Sequence, residues 1–453
     1  MSASVIENIQ FYKGDFLFFP FFITVFYFLL PVASLASYYF ALFNEFPPYL
    51  VFGIAVDALP GTFLYYWFMN GFITSARVRL LDKLVGLPAL IRLHTLGAMG
   101  CLFWIAAHFL LKGMPTSVQA WFGFSAAIVF LLLALSAVTQ WVDIPLTHLL
   151  NLIPPVRKFH QWSHRNTQYQ YQRLKHNFMA LAAILVYLHI ILSSMAQTDR
   201  RFFIVSTVYF MLAFGLYCYH KFSRPLLLRS RELWELKGIQ AESDTVTGLE
   251  FAALPTGRLF KYRGGQFGFL RFVSGRLRGE EHPFSFSSHP DEPGLSFAIQ
   301  HDGDFTSRLH TDAAIGDRAV IDGPYGLFFP TDAAKPMLAI AGGIGIVPFI
   351  SIFKNLQRRP VVEPLCLFWL NRSENTMFQT DMRNFQSIPG AELELFSRRD
   401  GRPLTLERLQ SVPNLRNLEI FICASRPLTK TILGLLKQAG VRRGRIHYEL
   451  FSM

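Results

Sequence analysis

Charged residues are scarce in this chain of 453 residues. They make up only 16% of the sequence, whereas 51% of the residues are hydrophobic and 15% are aromatic. Soluble domains carry roughly 25% charged residues, so the composition argues against a soluble protein and favours a membrane protein. The formal net charge is +12, but the basic residues mostly flank apolar segments. We therefore attribute this charge to membrane topology and expect lipid, but no nucleic acid, as a partner.

Cysteine is equally scarce, and the sequence contains no Cys-x-x-Cys motif. The four positions are Cys101, Cys218, Cys366 and Cys423. Such scattered positions argue against iron–sulfur clusters, zinc sites and a disulfide framework. The chain also lacks the loop sequence of an EF-hand calcium site. Its N-terminal apolar run is too long for a cleavable signal peptide and has no small-residue cleavage site, so we expect no cleaved leader.

Long apolar segments fill the first half of the chain. Each has close to the roughly 20 residues that a helix needs to cross the hydrocarbon core. The six segments lie near residues 16–43, 50–75, 93–112, 120–141, 178–196 and 202–220. Lys and Arg are concentrated in the loops after the second, fourth and sixth segments. The positive-inside rule then predicts six transmembrane helices with both termini in the cytoplasm, in a bacterial inner or plasma membrane.

Four histidines mark the third and fifth segments. His94 and His108 are 14 residues apart, and His176 and His189 are 13 apart. At about 1.5 Å per residue these steps span about 21 and 19.5 Å, so His94 can face His176 and His108 can face His189. Neutral imidazole is a strong axial ligand of haem iron, and ionisable residues are rare inside membranes. The spacing predicts two haems, one above the other; the alternative is a set of interhelical hydrogen bonds.

The fifth segment poses one geometric difficulty. At about 100° per residue, a step of 14 residues nearly returns to the same helix face, whereas a step of 13 is rotated by roughly 220°. A straight fifth helix would not direct both histidines towards the third. We therefore expect a kink, a local tightening or a long side-chain reach in that segment.

Strand-length patterns dominate from about residue 230. Apolar runs become short and are separated by Gly, Pro and Asp. Between residues 240 and 330, strand-like runs with many turn residues predict a small antiparallel barrel. Further on, the runs PMLAIA, PLCLFWL, AELELF and NLEIFIC alternate with helical or loop stretches, which is typical of a parallel α/β sheet.

The sequence HPFSFSS, residues 282–288, gives the first specific resemblance. It resembles the flavin-binding motif of the NADPH oxidase and ferric reductase superfamily. Members of that superfamily pair a six-helix haem domain with a ferredoxin-reductase-like module. The resemblance implies that FAD is bound by His282, Pro283, Phe284, Ser285 and Ser288. In HDGDFTSRLH, it implies that the FAD pyrophosphate contacts Gly303, Thr306 and Ser307 at a helix start.

The sequence AGGIGIVPFIS, residues 341–351, follows a strand-like run and leads towards a helix. Glycines in such a turn let a dinucleotide phosphate approach the backbone. The stretch resembles the nucleotide-binding loop of the same superfamily, through Gly342, Gly343, Gly345 and Pro348. IDGPYG, residues 321–326, also matches the pattern of the family just before the nucleotide domain.

Basic residues at two predicted strand ends favour NADPH over NADH. A 2′-phosphate needs cations, whereas an NAD site usually carries an acid for the ribose hydroxyl. Arg372 ends the second strand, and Arg399 is near the end of the third. By resemblance to ferredoxin reductases, Ser397 and Arg398 bind the 2′-phosphate. The alternative is a solvated basic loop.

The last part of the chain carries two further candidates. FICASRP resembles the Cys-Gly-Pro turn that the family places beside the nicotinamide, but only Cys423 is retained. HYELFSM resembles the C-terminal segment in which an aromatic ring covers the flavin. Phe451 is the candidate for that role, and Met453 occupies the place where relatives often have another aromatic residue.

The resemblance covers almost the whole chain after about residue 15 and points to the compact prokaryotic type. It implies a membrane all-α six-helix bundle joined to a cytosolic ferredoxin-reductase-like module. We predict a transmembrane haem domain at residues 1–222, a linker at 223–243, an FAD-binding antiparallel β-barrel at 244–331 and an NADPH-binding parallel α/β domain at 332–453.

The expected activity is that of an NAD(P)H oxidase or ferric reductase. Electrons from cytosolic NADPH would pass through FAD and two b-type haems to an external one-electron acceptor. Dioxygen, giving superoxide, is the first choice by resemblance; a ferric chelate or a quinone is the alternative. Oxidases of the family tend to have an Arg near the outer end of helix two, where this chain offers Asp57, an acid that attracts cations or serves as a capping or hydrogen-bonding residue.

Two other classes of protein stay open. One is a haem-binding membrane sensor without catalysis, and the other is a membrane-anchored flavin reductase without haem. The flavin and nucleotide motifs argue against the sensor. The sequence indicates no obligate protein partner.

Overall fold

The computed structural model of the chain describes residues 21–43, 46–138, 154, 175–231, 233–254, 261–330, 335–356, 365–371 and 377–450. The chain divides into two compact units. The helical unit contains Leu17–Val78 and Leu90–Phe222. The sheet unit contains Arg79–Ala89 and the described residues of Ser223–Met453.

Helices make up the described part of the chain before the first strand. They are α1 (Leu30–Phe43), α2 (Pro48–Ser75), α3 (Arg79–Val85), α4 (Leu87–Lys112), α5 (Val118–Val138), α6 (Met179–Ile191), α7 (Ser194–Thr198), α8 (Arg200–Cys218) and α9 (Arg224–Arg231). A π-helical turn, Thr24–Leu29, precedes α1, and another, Tyr219–Ser223, follows α8. The helices α3 and α9 belong to the sheet unit.

Four helical stretches among the described residues are long and apolar enough to cross a membrane. They are Phe21–Phe43, Pro48–Ser75, Leu87–Lys112 and Arg200–Leu228, which correspond to the first, second, third and sixth predicted segments. The fourth and fifth segments contain the shorter apolar helices Val118–Ala134 and Met179–Ile191. Large apolar side chains such as Phe40 and Leu110 are exposed, as expected for helices that face lipid. The six-span prediction is therefore supported for four of its segments.

An antiparallel barrel forms the first half of the sheet unit. Its strands are β1 (Leu233–Ser243), β2 (Val246–Ala253), β3 (Phe267–Phe272), β4 (Glu281–Ser285), β5 (Gly294–Gln300) and β6 (Arg318–Tyr325). They pair in the order β4-β3-β6-β1-β2-β5, and a bridge between Phe286 and Phe297 closes the sheet. Large apolar side chains, among them Trp234 and Phe272, fill the interior. The helix α10 (Asp304–Asp312) follows β5.

A parallel sheet forms the second half of the sheet unit. In chain order its elements are β7 (Met337–Gly342), α11 (Val347–Leu356), β8 (Leu365–Asn371), α12 (Gln379–Gln386), β9 (Ala391–Ser397), α13 (Leu406–Gln410), β10 (Glu419–Ala424), α14 (Arg426–Gln438) and β11 (Ile446–Leu450). The strand order is β11-β10-β7-β8-β9. Every residue of β7 and β10 is buried, which explains their continuous apolar sequences. The order reverses between β7 and β10, and ligands of such sheets bind outside the carboxyl ends of the strands at this switch point.

The predicted linker at 223–243 is wrong, because these residues form α9 and β1. β1 lies between β6 and β2 in the barrel sheet. Trp234 and Leu236, two residues apart, are buried in the barrel core, as a period of two requires. The charged residues Glu235 and Lys237 alternate with them and conceal the strand in a search for apolar runs.

A second departure concerns the segment after α2. Residues Arg79–Ala89 belong to the sheet unit, although they fall inside the predicted haem domain at 1–222. Val85 and Leu87 are buried there, and the buried carboxylate of Asp82 accepts a hydrogen bond from the backbone N–H of Gly326 at 3.3 Å. Contacts far along the chain therefore decide where this segment packs, and hydropathy does not reveal them.

Candidate functional site

The four predicted haem ligands form two pairs in the helical unit. The ring centroids of His94 and His176 are 6.0 Å apart, and those of His108 and His189 are also 6.0 Å apart. A metal–imidazole bond is about 2 Å long, so two imidazoles on opposite sides of one ion have centroids roughly 6 Å apart. The separation in both pairs is thus the one that a shared iron requires.

Hydrogen bonds orient one imidazole in each pair. The Nδ1 of His94 lies 3.0 Å from the carbonyl oxygen of Gly71, and the Nδ1 of His189 lies 2.8 Å from that of Gln119. A carbonyl accepts only, so each Nδ1 carries the proton and Nε2 keeps its lone pair. Ligating histidines are usually held in this way by a second hydrogen bond. The Nδ1 of His108 is buried without a hydrogen-bond partner among the described residues.

Glycines on neighbouring helices make room for two of the four imidazoles, His189 and His108, and a third glycine lies beside His94. A Cβ on Gly123 would lie 2.8 Å from the Nδ1 of His189, and one on Gly61 would lie 3.0 Å from the Cε1 of His108. A Cβ on Gly71 would lie 3.7 Å from the ring of His94. These glycines were missed in the sequence, because a glycine in an apolar helix is a weak signal without knowledge of its neighbours.

The fifth segment contains the irregularity that its 13-residue step requires. His176 precedes α6, and the intervening backbone bonds span three residues: Phe178 N–H to Lys175 O at 3.0 Å and Ala180 N–H to Asn177 O at 3.1 Å. Bonds of this kind tighten a turn relative to an α-helix. Both imidazoles of this segment can therefore meet partners on α4, despite the expected rotation.

The histidine pairs fit a bis-histidine haem site by the chemistry of their donors. Each pair offers two neutral nitrogen donors, and these residues would hold one haem iron between them. Among the residues that the structure describes, no cluster of three or more His, Cys, Asp or Glu could hold a metal ion directly.

An ion pair lies near His108 and His189, which are called the outer pair because the predicted topology places them towards the outside. The Nζ of Lys112 contacts the Oδ2 of Asp57. Lys112 follows His108 by four residues and Asp57 precedes Gly61 by four, so the ion pair lies about one helical turn beyond His108. The carboxylate expected to attract cations is thus paired with an ammonium group within the chain.

The predicted flavin motif lies on β4, at one end of the barrel sheet. Its members His282, Pro283, Phe284 and Ser285 are all partly exposed. The imidazole of His282 stacks on the ring of Phe305 with a centroid distance of 4.2 Å. Because Phe305 belongs to the first turn of α10, the fold brings the flavin motif and the predicted pyrophosphate segment together.

Ser288, the last predicted residue of the flavin motif, makes its hydrogen bonds within the barrel. Its hydroxyl is buried and lies 2.8 Å from the Oη of Tyr262, and it accepts a hydrogen bond from the backbone N–H of Ser296 at 3.0 Å. These partners lie inside the barrel. The structure therefore gives Ser288 a role in closing the barrel, and its predicted contact with FAD stays a prediction.

The predicted pyrophosphate residues lie together at the start of α10. Gly303 has a φ of 119°, and no atom lies within 4 Å of a Cβ built there. The hydroxyl of Thr306 accepts a hydrogen bond from the N–H of Asp302 at 2.8 Å, and the N–H of Ser307 donates to the carbonyl of Gly303 at 3.0 Å. The acid Asp304 in the first turn lowers the attraction of this helix end for an anion.

The glycine-rich turn connects β7 to α11. Gly343 has a φ of 55° and faces open space, whereas a Cβ on Gly342 would lie 2.7 Å from Leu428. The carbonyl of Gly343 accepts a hydrogen bond from the indole Nε1 of Trp369 at 2.9 Å. Gly345 and Pro348 are buried. Gly342 thus permits close packing, and Gly343 leaves its surface free for a phosphate.

Cys423 lies at the carboxyl end of β10, at the switch point of the parallel sheet. It is level with Ala341 on β7 and Glu449 on β11. Burial raises the pKa of the Cys423 thiol well above its usual value, and the carboxylate of Glu449 raises it further. The thiol is therefore neutral near pH 7.

Glu449 was not singled out in the sequence, yet it carries a buried carboxylate oxygen at the same sheet end. Its Oε2 has no hydrogen-bond partner among the described residues. Burial raises the pKa of Glu449 to about 8, with a further contribution from Asp82. Burial likewise raises the pKa of Asp82 to about 6, against the effect of backbone N–H groups of Gly326 and Leu87. Glu449 is therefore protonated near pH 7 and can donate a hydrogen bond.

The predicted 2′-phosphate residues lie in the turn after β9. Ser397 is 4% exposed, and its hydroxyl accepts a hydrogen bond from the N–H of Asp400 at 3.3 Å, so this hydroxyl supports the turn. The contact of Ser397 with a 2′-phosphate stays a prediction. Arg398 and Arg399 are exposed in the same turn and remain the candidates. Arg372, Phe451 and Met453 lie outside the described residues.

Comparison with known proteins finds relatives of the second half of the chain. A model of the FAD-binding domain family matches residues 252–328. Over 223 residues the chain is 22% identical to a flavohemoprotein of Xylella fastidiosa, a match that covers 47% of this chain and 56% of that protein. Over 228 residues it is 29% identical to the ferredoxin reductase component of 3-ketosteroid-9-alpha-monooxygenase from Mycolicibacterium smegmatis, covering 47% and 62%. The chain thus spans less than two thirds of these relatives.

The sheet unit is a ferredoxin-reductase-like module with an FAD-binding domain. This confirms the predicted module, which the chain shares with flavohemoproteins and ferredoxin reductases. Among solved structures, flavohemoglobin from Malassezia yamatoensis with bound FAD and heme matches at a TM-score of 0.50 and 14% identity. That match covers 92% of this chain and 99% of the other, and at this identity it concerns the fold alone.

Proposed function

We propose that the chain is an NAD(P)H-dependent oxidoreductase that transfers electrons across a membrane to an external one-electron acceptor. In this proposal the sheet unit binds FAD and NADPH, and the helical unit binds two b-type haems. When bound, FAD divides a two-electron hydride into single electrons, and haem iron carries electrons singly. The residues of the chain bind these groups, orient them and control their surroundings.

The observation that carries the proposal is the geometry of the two histidine pairs. Both pairs have a centroid separation of 6.0 Å, and one imidazole of each pair donates Nδ1–H to a backbone carbonyl. A set of interhelical hydrogen bonds would explain neither the equal separations nor the glycines that make room for the rings. Pairing at two levels of the same two apolar segments favours transfer between two irons over a single haem in a sensor.

Residues of the sheet unit support the proposal that this unit binds FAD and NADPH. The flavin motif on β4 and the start of α10 are adjacent through the stacked rings of His282 and Phe305. Gly343 presents an open backbone after β7, where the pyrophosphate of a dinucleotide binds in sheets of this type. The exposed guanidinium groups of Arg398 and Arg399 favour NADPH, because they can pair with a 2′-phosphate.

Dioxygen, reduced to superoxide, is the acceptor that we propose first, and a ferric chelate is the alternative. An unpaired acid near the outer histidines would favour the ferric chelate. Asp57 is instead paired with Lys112, so it supports that alternative less. A compensated charge pair attracts neither cationic nor anionic molecules over a distance. A small neutral molecule such as dioxygen needs no such attraction.

Visible spectroscopy of the purified full chain tests the proposal and its rivals. After expression with sufficient haem, we expect a low-spin b-type spectrum that becomes reduced when NADPH is added under nitrogen. Flavin absorbance without a Soret band would support a membrane-anchored flavin reductase instead. Haem that NADPH does not reduce would support a sensor.

A reporter assay separates dioxygen from the other acceptors. We expect NADPH-dependent reduction of cytochrome c in air to be largely suppressed by superoxide dismutase. Reduction that dismutase leaves unchanged would count against superoxide. Oxidation of NADPH under nitrogen with ferric citrate then measures the alternative directly.

His189→Ala tests the assignment of ligands. The variant should lose the haem of the outer pair, because His108 alone cannot hold an iron with two axial imidazoles. Haem content per chain, measured as the pyridine haemochrome, should fall by about half relative to the two haems proposed. His220→Ala, in the turn after α8, is the matched control and should keep the haem content of the wild type. Full occupancy in His189→Ala would show that the pairing is wrong.

A further inference from the structure

A buried carboxylate in the sheet unit binds two arginines that come from distant parts of the chain. Asp322 is 3% exposed and lies near the end of β6, within IDGPYG. The Nη2 of Arg224 is 2.5 Å from the Oδ1 of Asp322 and also donates to the Oη of Tyr325 at 2.5 Å. The Nη2 of Arg79 is 3.5 Å from the same Oδ1 and donates to the carbonyl of Gly323 at 2.9 Å.

The two arginines occupy equivalent places in the chain. Arg79 is the first residue of α3 and follows the end of α2 by four residues. Arg224 is the first residue of α9 and comes directly after the π-helical turn that follows α8. Each therefore begins a segment of the sheet unit that continues from a long apolar helix of the helical unit. The carboxylate of Asp322 thus contacts the first residue of each segment.

Burial strengthens the interactions within this cluster and makes the cluster sensitive to substitution. The Arg224 and Asp322 side chains are 10% and 4% exposed. Charge-assisted hydrogen bonds are stronger in such surroundings, and removing one partner leaves an uncompensated buried charge. The hydroxyl of Tyr325 lies 3.1 Å from the Oδ2 of Asp322, so it completes the contacts of the carboxylate.

The same strand supports the flavin motif. β6 pairs with β3, and β3 pairs with β4, which carries His282 to Ser285. A Cβ on Gly323, next to Asp322, would lie 3.3 Å from the ring of Phe286, the residue that follows β4. Asp322, which contacts both segments, therefore lies on a strand of the same sheet that carries the flavin motif.

We propose that Asp322 is a positioning residue that holds the segments beginning at Arg79 and Arg224 against the strands of the flavin motif, and that electron delivery from flavin to haem depends on it. The proposal rests on the proposed function. It predicts that loss of the carboxylate affects electron delivery to haem and leaves the reaction of flavin with NADPH unchanged. A role in folding alone would change both reactions, or the amount of folded protein.

Asp322→Asn is the principal variant, and Arg79→Gln is the second. The asparagine removes the charge and keeps the shape, while the Arg79 side chain is 45% exposed and its change leaves the core intact. Glu235→Gln is the matched control, because it removes one carboxylate from a partly exposed ion pair with Lys237 in the same barrel sheet. All three are made in the full chain, purified with FAD and haem.

Two rates and one structural measurement form the test. With ferricyanide as acceptor, each NADPH gives two electrons to two ferricyanide ions and releases NADP⁺ and H⁺, which reports the flavin reaction. Stopped-flow absorbance under nitrogen reports haem reduction by NADPH. Hydrogen–deuterium exchange of residues 79–85 and 224–231 reports how firmly the two segments are held, and it requires no turnover.

We expect Asp322→Asn to slow haem reduction about tenfold or more, since small displacements of reacting groups have large effects on rate. Its ferricyanide rate should stay within twofold of wild type, and both segments should exchange faster. Arg79→Gln should show a smaller effect of the same kind, with faster exchange in residues 79–85, and Glu235→Gln should match wild type. Equal haem reduction rates in wild type and Asp322→Asn, equal losses in both rates, or unchanged exchange would overturn the proposal. A wild type that reduces ferricyanide but never its own haem would instead overturn the proposed function.

Discussion

Gly123 is the residue whose substitution tests the haem site most directly. An alanine Cβ there would lie 2.8 Å from the Nδ1 of His189, closer than real side chains come, so the ring or α5 must shift. The bond from this Nδ1 to the carbonyl of Gln119 would then weaken. We expect Gly123→Ala to lower the occupancy or shift the reduction potential of the outer haem, as measured by a spectroscopic titration.

The expected effect of Gly123→Ala is opposite to the usual effect of this substitution in a helix. Glycine to alanine inside a helix ordinarily stabilises it by about 0.5–1 kcal/mol. Gly215→Ala in α8 is the control, because no atom lies within 4 Å of its Cβ. The control should leave the haem spectrum unchanged and the melting temperature equal or higher. Identical behaviour of the two variants would remove the argument that Gly123 makes room for an imidazole.

Glu449 should make stability depend on pH in an unusual direction. Burial raises its pKa from 4.5 to about 8 in the folded protein, so the folded state binds a proton that the unfolded state releases between these values. The contribution of this group to stability is complete below pH 4.5 and is lost as the pH rises to about 8. Asp82, whose pKa is raised to about 6, acts in the same direction at lower pH.

Glu449→Gln removes this titration. Relative to the variant, the wild type should lose up to ~3 kcal/mol of unfolding free energy between pH 5 and pH 8. Melting temperatures of the full chain in detergent at pH 5, 6, 7 and 8 measure the difference. Glu394→Gln, in a partly exposed ion pair with Arg408, is the control and should show no such trend. Parallel curves for wild type and Glu449→Gln would contradict a raised pKa.

The turn between β7 and α11 depends on the backbone of Gly343. Its φ of 55° costs other residues roughly 1 kcal/mol, although no atom lies within 4 Å of a Cβ there. Gly343→Ala should therefore disturb the turn without a clash and place a methyl group where the dinucleotide phosphate approaches. We expect the KM for NADPH to rise about fivefold, with kcat within twofold of wild type.

Gly434→Ala is the control for this turn. It lies in α14, where a Cβ also meets no atom within 4 Å and no unusual φ is required. Steady-state kinetics with ferricyanide measure both variants without involving haem. An unchanged KM in Gly343→Ala would show that the nucleotide does not approach this backbone.

The elements of the sheet unit were predictable where apolar sequence is continuous. β7 and β10 are buried on both faces, and their sequences MLAIAG and EIFICA read as strands without further information. β1 was missed because Glu235 and Lys237 alternate with its buried residues. When a charged residue occupies every second position, a search for continuous apolar runs does not detect the strand. The alternation with a period of two is nevertheless preserved.

The length of α6 was overestimated for a different reason. The apolar run continues to residue 196, but the helix ends at Ile191. The hydroxyl of Ser193 donates to the carbonyl of Ile190 at 2.6 Å and accepts from the N–H of Ala196 at 3.3 Å, which ends α6 and begins α7. Serine competes with the helix for backbone groups, and average hydropathy does not register this.

Long-range contacts set the limit of what the sequence could show about the site. The histidine pairs were predictable because both ligands of a pair lie at matching heights on helices whose spacing is readable along the chain. Gly123, Glu449 and Asp322 were not, because each acquires its role from a neighbour at least 66 residues away: His189, Asp82 and Arg224 with Arg79. A single sequence contains no record of such neighbours.

Transfer across the bilayer is the remaining prediction, and it concerns the molecule as a whole. In proteoliposomes, NADPH added outside reaches only those molecules whose sheet unit faces outward. If the two histidine pairs form one path through the helical unit, this NADPH should reduce cytochrome c trapped inside the vesicles. Superoxide dismutase trapped with it should suppress the signal, since superoxide would form on the inner side.

The control for that experiment is His189→Ala, which should still pass electrons from NADPH to external ferricyanide. Its signal from trapped cytochrome c should fall to the background of empty vesicles. Reduction of external but never of internal acceptors by the wild type would mean that both reactions occur on one side. The helical unit would then serve as an anchor, and the equal separations of its histidine pairs would need another explanation.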